Sequence, residues 1–180
     1  MQSISTLEFL RAFPGARGLD IATTRSFLSA GVGMELLADT VLFDAGDPSE
    51  CAYLLVRGEV RVERLMESGE RILLARLGRG HIVGDMGLLS GKPRSATAIS
   101  EVDTLALRLD RGAYLHLREQ GDPGVMWLLD EIHRDMSARI ATDYERMVRM
   151  EEEPELAMEP PTEPLETPGW LVRLWRRVRT

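Results

Sequence analysis

Apolar and polar positions change their spacing along the chain, and each change marks a different kind of element. Up to about Phe27, Leu7, Phe9, Leu10 and Phe13 recur at helical steps, Ser5 or Thr6 stands where an N-cap belongs, and Pro14-Gly15 supplies a stop. These residues predict short N-terminal helices. From Met34 to about Asp110 the chain breaks into short β-like runs: Met34–Phe43, Cys51–Arg57, Glu59–Met66, Arg71–Leu77, His81–Val83, Ser95–Ser100 and Thr104–Asp110. Turn residues punctuate them at Asp44–Pro48, Gly58, Glu67–Glu70 and Gly78–Gly80, and Val60, Val62 and Leu65 alternate imperfectly with Arg61, Glu63 and Arg64. Many short strands with glycine-bearing turns predict a mainly β fold with flanking helices, an antiparallel sandwich or roll over about residues 34–110.

Beyond Asp110 the spacing is helical again. Arg111–Gln120 forms one short segment, Gly121–Gly124 interrupts it, and a long amphipathic segment runs from Val125 to about Glu152. Its stripe is Val125, Leu129, Ile132, Met136, Ile140, Tyr144 and Met147. At roughly 40 Å it is longer than a small roll can cover. Its distal part is therefore expected to meet a second copy, as a homodimer seam within 125–152, or another partner.

Composition refines this picture at the C-terminal end. The 180 residues are 44% hydrophobic and 28% charged with a net charge of −7, which suits one domain with an appendage and argues against a surface built to neutralise nucleic-acid phosphates. That figure conceals a division. Residues 151–168 hold seven Glu, five Pro and no basic residue, whereas 169–180 hold four Arg. The expected organisation is a domain over 1–152, an acidic, Pro-rich, extended linker over 153–168, and a basic amphipathic tail over 169–180. In the tail, Trp170, Leu171, Leu174, Trp175 and Val178 fall on one helical face, a pattern suited to a protein partner or a membrane surface. No helix-turn-helix domain is expected in so short a remainder.

Several classes of function lack residues. Cys51 is the sole cysteine, so no internal disulfide or cysteine-based zinc site can form. His81, His116 and His133 are isolated from one another and show no metal-ligand spacing, which also weighs against a metal-dependent cupin enzyme. No nucleophile-base-acid set emerges, and no catalytic residue is assigned. With Glu8 inside the first apolar stretch and no apolar run of about 18 residues, neither a signal peptide nor a membrane span is expected, and the expected location is cytoplasmic.

The stretch that carries chemistry is Gly84-Asp85-Met86-Gly87-Leu88-Leu89-Ser90-Gly91-Lys92-Pro93-Arg94-Ser95-Ala96-Thr97. It offers a short helical turn whose backbone N–H groups near Gly87 and Leu88 can face an anion, and the Arg94 guanidinium can grip a phosphate at two points. Ser95 adds a hydroxyl and Asp85 the single carboxylate; as a helix cap, Asp85 has an equally good local role. Lys92 adds positive potential. This is not a Walker A loop, since Met86 stands where its first glycine belongs and Pro93 comes directly after the lysine.

Over about Phe9 to Glu152 the sequence resembles the cyclic-nucleotide-binding domain family, of the catabolite activator protein and protein kinase A regulatory subunit type. The resemblance rests on the Gly46-Asp47 turn, on Tyr53–Val60, and on the cassette Val83-Gly84-Asp85-Met86-Gly87-Leu88 with Pro93-Arg94-Ser95-Ala96-Thr97 after it. It implies an antiparallel jelly-roll (double-stranded β-helix) and a ligand, cyclic AMP or cyclic GMP, bound at Gly84, Asp85, Met86, Gly87, Leu88, Arg94 and Ser95. By that resemblance Arg94 meets the cyclic phosphate, and Asp85 stands where the family has a glutamate for the ribose 2′-OH. Aspartate is one methylene shorter. The resemblance thus implies a stand-alone regulatory module, and the shorter acid leaves a second reading, a degenerate roll that binds no nucleotide and serves as a docking scaffold.

Overall fold

Ser5 and Asp20, two side chains placed just ahead of helical turns, set the N-terminal elements. The computed structural model describes residues 3–152; the expected linker 153–168 and tail 169–180 lie outside the described residues. Ser5 caps α1 (Thr6–Ala12) reciprocally: its Oγ accepts from the Glu8 N–H at 3.2 Å while the Glu8 carboxylate accepts from the Ser5 N–H at 3.1 Å. A 3₁₀ turn over Pro14–Gly18 comes next, and the Asp20 carboxylate, accepting from the Thr23 N–H at 2.8 Å, starts α2 (Ile21–Ala30).

Eight strands then form two four-stranded sheets, paired antiparallel throughout. One has the order β1 (Val32–Leu36), β8 (Thr104–Asp110), β3 (Cys51–Arg57), β6 (Ile82–Val83). The other runs β2 (Val41–Phe43), β7 (Thr97–Ser100), β4 (Glu59–Leu65), β5 (Arg71–Gly78). Their inner faces meet in a core that includes Leu36, Tyr53, Leu55, Val60, Leu77, Val83, Ala98 and Ala106. This is the mainly β roll with flanking helices that the alternation implied.

Strands β3 and β8 match the expected ranges at both ends. The expected single strand Met34–Phe43 is instead two strands in different sheets, separated by a turn in which Asp39 adopts a positive φ of 62°. Aspartate tolerates that left-handed conformation better than most residues, so the chain reverses there without glycine or proline.

Helices α3 (Asp85–Ser90), α4 (Arg111–Glu119) and α5 (Pro123–Glu152) complete the described chain. At the start of α5, the Trp127 indole lies edge-on to Phe9, Phe13 and Phe27, with ring centroids 5.5, 5.7 and 5.7 Å away. Edge-to-face pairs add about 0.5–1.5 kcal/mol each beyond the area they bury, so this cluster fastens α5 to α1, the 3₁₀ turn and α2. Residues up to Asp135 form one compact unit and those from Met136 another. In the second, the Ile140 and Tyr144 side chains are exposed. Among the described residues no helix is long and apolar enough to cross a membrane.

Candidate anion-binding site

Between β6 and β7 the chain makes the short helix α3 and a loop that returns to Thr97. Two glycines make the turn compact. Gly84, the N-cap of α3, has a φ of 85°, and a Cβ there would overlap Nη1 of Arg94. A Cβ on Gly87 would overlap Ser49 Oγ and lie 2.6 Å from Ser49 Cβ and 3.0 Å from Arg94 Nη1. The missing side chains are what let Arg94 and Ser49 converge on the helix.

Arg94 is only 6% exposed. Its main chain is clamped by the turn after β2: its N–H donates to the Asp47 carbonyl at 2.9 Å and its carbonyl accepts from the Gly46 N–H at 2.8 Å. Its side chain donates from Nη1 to the Gly84 carbonyl at 3.1 Å and from Nη2 to the Cys51 carbonyl at 2.5 Å, with Cys51 Sγ 3.7 Å away. The guanidinium also lies 3.9 Å from the centre of the Phe43 ring. Every one of these partners is neutral. Among the described residues no carboxylate forms an ion pair with Arg94, and its Nε is buried without a hydrogen-bond partner, as is Ser49 Oγ. A buried cation in that state is costly, and an arriving anion would offset the cost.

The other expected site residues divide. Asp85 is buried, and its Oδ1 accepts from the Met86 N–H at 2.8 Å, a capping role at the head of α3. Leu88 is fully buried and its N–H donates to the Gly84 carbonyl at 3.0 Å, closing the first helical turn. The expectation of an open N–H at Leu88 is therefore corrected: as the fourth residue of α3 it is the first whose amide has an intrahelical acceptor. The side chains of Met86 and Ser95 are exposed. The structure thus brings Gly84, Gly87 and Arg94 together with three residues the sequence reading had not assigned to the site: Phe43, Ser49 and Cys51. Each comes from a different part of the roll, and only the strand register connects them to the cassette.

One more contact ties the cassette to helix α4. Arg111, its first residue, donates from Nε to the Leu88 carbonyl at 3.2 Å, and its own N–H donates to the Glu50 carbonyl at 2.7 Å. Beside it opens a cleft of about 480 Å³ lined by Ser49, Glu50, Gly91, Pro93, Arg111 and Gly112, among others. No group of three or more His, Cys, Asp or Glu side chains among the described residues is placed to hold a metal ion.

Residues 34–121 match the cyclic nucleotide-binding domain family. The matched segment is 88 of the chain's 180 residues. Over 76 residues the chain is 41% identical to the cyclic AMP receptor protein of Thermus thermophilus, a match that covers 42% of this chain and 35% of that relative. Among solved structures, a cyclic nucleotide-binding domain from Methylobacillus flagellatus superposes with a TM-score of 0.69 over 79% of this chain and 84% of the other, at 23% identity, a likeness of fold. The regulatory domain of Toxoplasma gondii PKA, crystallised with cAMP, superposes with a TM-score of 0.54 at 28% identity, covering 62% of this chain and 42% of that one. The cassette, Phe43, Ser49, Cys51 and Arg111 all fall inside the matched segment, and α5 lies beyond it.

Proposed function

We propose that the chain is a non-catalytic, cytoplasmic regulatory module whose ligand is a cyclic nucleotide, cAMP or cGMP, gripped through its phosphate by Arg94. The observation that carries this reading is the buried Arg94 guanidinium, held by neutral carbonyls and an aromatic ring, with Nε unmatched and Ser49 Oγ unmatched close by. A phosphate supplies both the negative charge and the acceptors that these groups lack. Gly84, Asp85, Met86, Gly87, Leu88 and Ser95 frame the same ligand.

Binding acts as a two-state switch. As the phosphate draws Arg94 toward itself, the cassette tightens, and Arg111 passes the movement from the Leu88 carbonyl to α4. The output is a changed presentation of α5 and the segments after it, either to a second copy along 125–152 or, through 169–180, to a protein partner or a membrane surface. The exposed Ile140 and Tyr144 side chains favour a partner for α5.

Calorimetric titration with cAMP and with cGMP, with Arg94→Ala as control, tests the reading. Removing one partner of a buried charge pair costs about 2–5 kcal/mol, roughly 30- to 5,000-fold in affinity, so binding by the variant should be near the limit of detection. No heat with either nucleotide, or equal binding by the variant, sinks the proposal. A second reading, the ligand-free docking scaffold, is favoured by Asp85, whose buried carboxylate serves its own helix. Under that reading, assembly proceeds identically with and without nucleotide.

A further inference from the structure

The wall around Arg94 sorts its polar groups into spare donors and committed acceptors. Arg94 Nε and the Ser49 hydroxyl are buried without a partner among the described residues, and both can donate. The neighbouring acceptors each take a donor already. The Gly84 carbonyl takes two, Arg94 Nη1 at 3.1 Å and the Leu88 N–H at 3.0 Å. The Cys51 carbonyl takes Arg94 Nη2 at 2.5 Å, the Asp47 carbonyl takes the Arg94 N–H at 2.9 Å, and the Leu88 carbonyl takes Arg111 Nε at 3.2 Å. The spare capacity of this wall lies in its donors.

Asp85, the one carboxylate of the cassette, is committed for a reason that begins at Arg94. A Cβ at position 84 would overlap Arg94 Nη1, so the residue there is glycine, and as the N-cap of α3 it has no side chain to offer the first turn. Asp85 serves that turn instead. Its Oδ1 accepts from the Met86 N–H at 2.8 Å, the residue is 6% exposed, and it engages a further partner. On so short a stem the carboxylate closes onto its own helix, whereas glutamate would carry it one methylene farther. Seating the guanidinium thus draws the only acid of the cassette into helix capping.

A 3′,5′-cyclic nucleotide brings two polar groups to such a wall. Its phosphate oxygens are acceptors and suit the spare donors. Its 2′-OH, vicinal to the esterified O3′, is the free donor of the sugar and meets acceptors that are already engaged. We propose that the site reads the cyclic phosphate and not the ribose 2′-OH, so that its ligand class extends to 2′-deoxy cyclic nucleotides. This rests on the reading that Arg94 binds the phosphate of a cyclic nucleotide.

The test is calorimetric titration of the full chain with cAMP and 2′-deoxy-cAMP, and with cGMP and 2′-deoxy-cGMP. The parent should bind a deoxy form within about threefold of its ribose counterpart, whereas a site that meets the hydroxyl with a charged acceptor would lose about 10- to 150-fold. Asp85→Glu, with its longer stem, should introduce a preference of about fivefold or more for the ribose form. The ratio measured on the parent decides even where that variant does not fold. A parent preference for the ribose form above about threefold, or an unchanged ratio in an Asp85→Glu variant that binds, overturns the proposal while leaving the role of Arg94 intact. A parent chain that takes none of the four nucleotides overturns both.

Discussion

The Arg94 guanidinium lies over the Phe43 ring at 3.9 Å, and Phe43 is itself stacked on Tyr53 with centroids 6.4 Å apart. An aromatic face thus covers one side of the cation and leaves its edge, where all the N–H groups point, for acceptors. The guanidinium plane is set before any ligand arrives, which lowers the ordering cost of a two-point grip on phosphate.

Phe43 should accordingly matter for binding through its π-face rather than its bulk. Phe43→Leu keeps an apolar side chain and should cost about 0.5–2 kcal/mol in nucleotide affinity, whereas Phe43→Tyr should bind like the parent. Titration calorimetry on the pair decides it, and equal affinities for both variants would remove the aromatic contribution.

Gly87→Ala sets two effects against each other. Alanine favours helix by about 1 kcal/mol over glycine, but overpacking typically costs about 1–3 kcal/mol. The new Cβ would meet Ser49 at both Oγ and Cβ, in a loop whose next residue, Glu50, is tied by its carbonyl to Arg111, so the clash should win. A lower urea midpoint is expected, and Gly87→Ala with Ser49→Gly should recover more than half of the loss.

The Tyr53 hydroxyl, pushed up to about 12 by burial and then by the neighbouring Cys51, predicts a limb in alkaline stability. In the unfolded chain the phenol ionises near pH 10, so the native state holds its proton longer. Stability is fully present below about pH 10 and declines from there toward pH 12, at up to about 1.4 kcal/mol per pH unit. Denaturant unfolding of the parent and of Tyr53→Phe between pH 8 and 11.5 measures this. The variant should lose stability less steeply above pH 10, and parallel curves would contradict the assignment.

Arg111→Gln separates grip from transmission. It removes the Nε bond to the Leu88 carbonyl but none of the groups around Arg94. Nucleotide affinity should stay within about threefold, since an average hydrogen bond is worth about 0.5–1.5 kcal/mol and this one does not touch the anion. Ligand-induced hydrogen-exchange protection in α4 should fall. Protection equal to that of the parent would show that the movement takes another route.

Legibility in the sequence tracks the range of the forces involved. Strands β3 and β8 were readable to the residue because period-two patterning and flanking turn residues are local signals, and so was the pairing of Arg94 with the glycines of α3, which lie within ten positions of it. The break inside 34–43 was hidden because Asp39 carries the reversal alone. Phe43, Ser49 and Cys51 join Arg94 across 43 to 51 positions of chain, a nearness that depends on strand register.

The ring of Phe9, Phe13 and Phe27 around Trp127 has an optical consequence. An indole caged by three phenyl edges, 7% exposed and with its N–H unbonded, should emit at shorter wavelength than a hydrated one. Trp170 and Trp175 are the chain's other two indoles, both within its last eleven residues, so replacing them by Phe leaves Trp127 as the sole indole. The chain then carries its own dye at the root of α5, and the colour of that dye reports whether a ligand at Arg94 is felt there.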